Sequence, residues 1–412
     1  MVYDREEMLR RLEEEQKTGR QLLRSGGARR PIVDLDDLVV VPSKAITQGP
    51  REIGTDVSIG LERYTQHPLH LEVPIYIADM SYGEIGRSAK AALALGAALA
   101  GTMVLCGHGQ VLTEEREATD DNDGRLVAKW SQGRFGNDIA NLEFCHGVCI
   151  DMSASHAVLV PTDISTKEVS EAFGIPRGFQ ADLPTTHLDI KGEDDLKLHI
   201  DLLREALDYK VPVLVKFSGG EVYEKVRTAV EAGADAIVLE SMRAWRARTT
   251  EAEAEHSGEP LLGMMPPAMK AFVDTKAKSK GVKLLVQGGR TSGADVFKAL
   301  ALGADAVGLD IAALIGIGCK LAGVCHTGKC PQGVATIDPK LEAKINVREA
   351  GEHLYNLINA MTDEAVHLAG YAGLGHLSGA TMKNLRALTY DAAAITGVRL
   401  LGFDRSLPMW VH

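Results

Sequence analysis

The sequence predicts an α/β protein: a (β/α)8 TIM barrel with an N-terminal wrap and a C-terminal helical extension. Three observations predict it. Eight short apolar runs of buried-strand length follow one another, most of them separated by helical segments, as a closed parallel barrel requires. The phrases EAGADAIVLES and ALGADAVGLDI repeat one unit of helix end, Gly-Ala-Asp turn and strand. Finally, 42 glycines among 412 residues suit the many tight strand-to-helix turns of such a repeat.

The first run is VPIYIADMS (73–81), followed by an Ala-rich helix from about Gly83 to Leu99. TMVLC (102–106), RLVAKWS (125–131) and GVCIDMS (147–153) supply the next strands. A helix over 194–209 precedes VPVLVKFS (211–218), and the helix EVYEKVRTAVEAGA leads into DAIVLES (235–241). VKLLVQGG (282–289), the helix of SGADVFKALALGA and DAVGLD (305–310) complete the set. The expected organisation is an extension over 1–70, the barrel over 71–315, a cysteine loop over 316–345 and a helical extension over 346–412. Barrel chemistry sits at the C-terminal ends of the strands. That singles out Ser81, Cys106, Lys129, Asp151, Lys216, Glu240, Gly288, Gly289 and Asp310.

Composition narrows the function classes. The chain is 45% hydrophobic and 25% charged, which suits one large soluble core. A net charge of −11 argues against nucleic acid or anionic membrane as a partner, since both select basic faces. No apolar run reaches the roughly 18 residues of a membrane helix. The opening MVYDREEMLRRLEEEQK lacks the apolar centre of a signal peptide, so the expected address is the cytoplasm.

GIGCKLAGVCHTGKCPQGVAT places Cys319, Cys325 and Cys330 five and then four residues apart, with Pro331 directly after the last. Thiolates are soft ligands that suit an iron–sulfur cluster or zinc. Zinc would want a fourth ligand, for which His326 is available, whereas three thiolates alone favour a three-iron cluster. Three free cysteines in a glycine-rich loop is the plain alternative.

The stretch from GGRTSGADVFKALALGADAVG through IAALIGIGC and VCHTGKCPQGVAT to LRALTYDAAAITGV resembles the FMN domain of glutamate synthase. It is most similar to the short stand-alone forms of archaea and of methylglutamate synthase, and the resemblance runs from about Asp36 to Gly402. It implies a [3Fe–4S] cluster on Cys319, Cys325 and Cys330 that carries electrons to FMN in the barrel mouth. Hydride would then pass to an imine or related unsaturated substrate, a small molecule. The resemblance also implies an electron-donor protein (a ferredoxin or an NAD(P)H-oxidising subunit), amidotransferase-like subunits as a source of ammonia, and an oligomer. The chain starts Met-Val, so no N-terminal cysteine is expected to hydrolyse glutamine.

For the flavin, Gly288 and Gly289 at the end of strand seven and Gly308 in strand eight resemble the standard barrel phosphate seat. Lys216 matches the family lysine beside the flavin N1–C2=O edge, where a cation stabilises reduced flavin. Met80 and Ser81 open the turn that matches the family's Ser-Phe-Gly under the ring, and Lys129 stands where the family has Gln. His108, His146 and His156 lie near strand ends as candidate acids or bases, with His108 foremost and Asp151 to orient one of them.

The departures fall on the substrate side. SASHAVLVPTDISTK (153–167) replaces the family's Lys-Pro-Gly-type loop, and Arg243 to Arg248 replaces its Gly-Gly-Thr-Gly loop. A substrate other than 2-oxoglutarate is expected. Asp310 stands beside the expected phosphate, with Arg243, Arg246 or Arg248 as its expected partner. That carboxylate carries the second reading, in which the barrel has lost its flavin and serves as an iron–sulfur structural or electron-relay subunit.

Overall fold

The computed structural model describes residues 5–42, 52–120, 122–153, 162–163, 167–178, 180–181 and 186–407. Eight parallel strands close into a barrel in chain order. They are β1 (Ile75–Met80), β2 (Met103–Cys106), β3 (Arg125–Trp130), β4 (Gly147–Asp151), β5 (Val213–Ser218), β6 (Ala236–Glu240), β7 (Lys283–Gln287) and β8 (Ala306–Leu309). All eight predicted strands are present, trimmed by a residue or two at their ends.

The apolar runs work as parallel strands because both faces are buried. Val213, Val215 and Phe217 of β5 pack outward under the helices, while Leu214 points into the barrel. The same alternation sends Ile237 and Leu239 outward and Val238 inward from β6. At the N-terminal end the barrel is plugged by a hairpin, Val57–Ile59 against Leu69–Leu71, whose apolar residues join the interior core. At the C-terminal end the inward positions turn from apolar to charged.

The N-terminal wrap is more regular than the sequence suggests. Leu23–Arg24 pairs antiparallel with Thr249–Thr250, and Leu38–Val40 pairs with Leu385–Ala387. Three-residue strands carry too little periodicity to be seen before their partners are known. The long helix Val347–Ala372 lies across Arg87–Leu99, the helix after β1. Gly351 meets Leu95 and Gly96 meets Leu354 so closely that an added Cβ would sit 2.8 Å from the opposing side chain. Glycine at both positions is what lets these helices approach.

Candidate redox site at the barrel mouth

Lys129 (β3), Asp151 (β4), Lys216 (β5) and Glu240 (β6) all point into the mouth, two residues beyond the apolar inward positions of their strands. Asp79 of β1 joins them. Its Oδ1 lies 2.7 Å from Lys216 Nζ and its Oδ2 lies 2.8 Å from Lys129 Nζ. Lys129 also reaches Asp151 at 2.6 Å, and Lys216 reaches Glu240 at 2.6 Å. Gln287 of β7 donates to both Asp79 and Glu240, at 2.9 and 2.8 Å, and Arg246 closes the ring on Glu240 at 3.0 Å. Three carboxylates thus face three cations in a buried floor.

Electrostatics in this floor are cooperative. Burial pushes the Asp79 carboxyl up, but Lys129 and Lys216 outweigh it and hold it well below the usual range. Asp151 is held down against burial by the same two lysines, and Glu240 by Lys216 and Arg246. Burial lowers Lys216, yet Asp79 and Glu240 keep it well above its ordinary value, so it stays a cation. A mouth so composed can orient a polar or charged ligand, its carboxylates held ionised by the cations they pair with.

His108 sits beside the floor, its backbone N–H donating to Ser81 Oγ at 3.0 Å. Burial, and then the charge of Lys129, pushes its ring down to about 3. It is therefore neutral at pH 7, and its Nδ1 has no partner among the described residues. Between about 6.5 and that value the unfolded chain binds a proton that native His108 refuses. Stability conferred by the neutral ring is full above pH 6.5 or so and falls as pH drops, by about 1.4 kcal/mol per pH unit. Burial also lowers His146 and His187, which act in the same direction. We predict that His108→Gln flattens the slope of unfolding free energy between pH 6.5 and 4.5 by about one proton, measured by urea titration. An unchanged slope would remove His108 from this role.

Besides His108 Nδ1, orphan polar atoms near the mouth fall on the loops after β3 and β4. Ser131 Oγ, Gln132 Oε1 and Ser153 Oγ are buried without a partner among the described residues. Such groups cost stability unless a ligand or water meets them. On the opposite side, a cavity of about 320 Å³ is lined by Ser218, Gly219, Gly220, Glu240, Arg246 and Glu259, among others. His156 lies outside the described residues.

The glycines of the expected phosphate seat are placed differently from one another. Gly308 faces the barrel interior, where a Cβ would meet the Tyr76 ring at 2.7 Å; the ring accounts for this glycine. Gly288 and Gly289 do end β7 with positive φ, 113° and 72°. The Gly289 amide donates to Asp310, at 3.1 and 3.2 Å to its two oxygens. Asp310 also accepts from Trp245 N at 2.7 Å and Ile311 N at 2.6 Å. Among the described residues, none of the three loop arginines pairs with it: Arg243 pairs with Asp34 and Arg246 with Glu240. A buried carboxylate met by three amides needs no arginine, which corrects the sequence expectation.

The cysteine loop follows the helix Ile311–Gly316 after β8 and lies at the mouth end of the barrel. Its residues touch the turn after β1, where Gly86 N donates to Val334 O, and approach Arg248 of the β6 loop at Gly328. Cys330 is buried and Cys319 and Cys325 are half-buried; burial raises both of their thiols, Cys319 lies near enough to feel Cys330, and Cys325 near enough to feel Cys319 and Cys330. Leu321 N donates to Cys319 Sγ at 3.4 Å, and the Ser25 hydroxyl stands by Cys325. Among the described residues, no three His, Cys, Asp or Glu side chains gather tightly enough to hold a single metal ion. The ring of His326 faces Ser25 Oγ at 3.2 Å. The arrangement therefore does not form the compact zinc site with His326.

Comparison with known proteins decides the family. Residues 44–375 match the model described as the conserved region in glutamate synthase. The chain belongs to the glutamate synthase family. A glutamate synthase large subunit-like protein of Rhizobium meliloti is 35% identical over 410 residues, covering 93% of this chain and 91% of that one. The archaeal-type glutamate synthase [NADPH] of Thermotoga sp. (strain RQ2) is 32% identical over 389 residues, covering 87% of this chain and 75% of that one. Among solved structures, the flavin-binding domain of baker's yeast flavocytochrome b2 superposes with a TM-score of 0.56 at 16% identity, over 92% of this chain and 84% of that one. That likeness shows the barrel fold shared with flavin-dependent enzymes.

Within this glutamate synthase family barrel, sequence reasoning missed two parts of the floor, Asp79 and Gln287, and gave Glu240 no role. The available signal was a lone acid inside an apolar strand, IADMS. Ser25, beside the cysteine loop, lies 301 residues from His326 and carries no local signal.

Proposed function

We propose that the chain is a redox subunit of the glutamate synthase type that bears an iron–sulfur cluster on Cys319, Cys325 and Cys330 and serves as an electron relay within a larger complex. The observation that supports this best is the placing of the three cysteines in one loop at the mouth end of the barrel, with Cys319 and Cys325 each near Cys330. The donor set suits the group in kind: soft sulfur ligands, with a backbone N–H aimed at one of them. When bound, such a cluster supplies one-electron storage and transfer; three ligands suit the [3Fe–4S] type. Lys320, Leu321 and Ala322 are exposed beside it, leaving a face for an electron-donor protein such as a ferredoxin or an NAD(P)H-oxidising subunit. The floor of Asp79, Lys129, Asp151, Lys216 and Glu240 is cross-linked by ion pairs, and the unpartnered polar atoms after β3 and β4 offer hydrogen bonds to a small polar ligand.

A second reading keeps FMN in the mouth and imine reduction as the reaction. Family membership and the position of Lys216 favour it. The phosphate seat does not fit, because Asp310 already takes its amides. Anaerobic purification and a visible spectrum separate the readings. Iron and sulfide with no flavin bands near roughly 370 and 450 nm are expected. About one FMN per chain would replace the relay by the flavin enzyme, and a colourless, iron-free protein would sink both.

A further inference from the structure

The (β/α)8 fold offers one standard place for a phosphate: the amides at the end of β7 and at the start of the helix after β8. In this chain those donors are already used. Asp310, 4% exposed, accepts from Gly289 N of the β7 end, from Ile311 N at the head of the next helix, and from Trp245 N of the β6 loop. A phosphate placed there would have three oxygens seeking the same N–H groups.

The surroundings are closed as well. A Cβ on Gly288 would lie 2.6 Å from Ser241 Oγ, and one on Gly289 would lie 2.8 Å from Arg243 Cβ. The β6 loop therefore packs directly on the glycine pair that would have to face a ligand. The two cations nearest the seat are turned elsewhere: Arg243 Nε and Arg290 Nη1 each lie 2.8 Å from Asp34 of the N-terminal wrap. Asp34 is held low against burial by Arg290 and Arg243, so it is a carboxylate. An incoming phosphate dianion would thus meet the Asp34 carboxylate and find the Gly289, Trp245 and Ile311 amides already bonded to the Asp310 side chain, whose pKa burial raises against those amides and Arg290.

We infer that Asp310 is a built-in substitute for a cofactor phosphate, so that this barrel does not hold FMN through the seat between β7 and β8. Its side-chain oxygens take up the amide donors and in doing so tie the β6, β7 and β8 loops together. The inference uses the barrel of the proposed function but not its cluster, so iron content reports on that reading separately.

The test compares FMN with riboflavin, which differ by the phosphate alone. Each is titrated into the full-length, anaerobically purified chain and followed by flavin fluorescence. The native chain is expected to show no preference for FMN over riboflavin. Asp310→Gly removes the internal acceptor and frees the amides; it is expected to bind FMN at least about tenfold more tightly than riboflavin, with inorganic phosphate competing. A native preference of about tenfold or more would overturn the inference, and that measurement depends on no variant folding. A folded Asp310→Gly chain, with native circular dichroism and iron, that still treats the two flavins alike would also overturn it.

Discussion

Asp79→Ala is expected to destabilise the fold by about 3–5 kcal/mol, the range for removing one partner of a buried ion pair. Its carboxylate lies 2.7 and 2.8 Å from two ammonium groups and accepts from Gln287 at 2.9 Å. Without it, Lys129 and Lys216 remain close in a buried mouth, held by Asp151 and Glu240 alone. Asp79→Asn keeps the shape but not the charge and should recover only a small part of the loss. Urea denaturation would show a lower midpoint at an unchanged slope. Asp201, whose pair with Lys197 is exposed, provides the contrast; its removal should change little. A midpoint for Asp79→Ala within about 1 kcal/mol of native would mean the floor is not the coupled unit described.

Cys330→Ser is expected to abolish iron binding, to less than about a tenth of the native iron per chain. Serine oxygen is a hard ligand and a poor substitute for thiolate. Cys330 is 3% exposed, so no outside group can stand in for it. Cys145→Ser is the matched control. Burial pushes that thiol up to about 12, so it is protonated at neutral pH and inert. Iron, acid-labile sulfide and visible absorbance should all fall in the first variant and persist in the second. Full iron in Cys330→Ser would remove the loop from the role assigned to it.

Most of the architecture was legible because parallel strands buried on both faces leave continuous apolar runs, and because a repeated unit echoes itself. The mouth was legible in part for a related reason. Lys129, Asp151, Lys216 and Glu240 each follow an inward apolar residue by two positions, and the strand period of two keeps them pointing inward. Asp79 escaped because β1 breaks that period. The register against β2 shifts between Ile77 and Met80, which carries Asp79 to the inside and Met80 into the outer layer.

The chain alone therefore determined the barrel, the order of its strands, the thiol triad and the family, all of which rest on local pattern or on residues close in sequence. Tertiary structure decided how these parts are used. The partners of Asp310 come from three loops, Gly289, Trp245 and Ile311, the farthest 65 residues away in the chain. Two of the three arginines expected to meet it, Arg243 and Arg246, are drawn to Asp34 and Glu240 instead. Which amide or cation neutralises a buried carboxylate depends on distances of an ångström or so, set by how distant loops pack. No spacing along one strand records that choice.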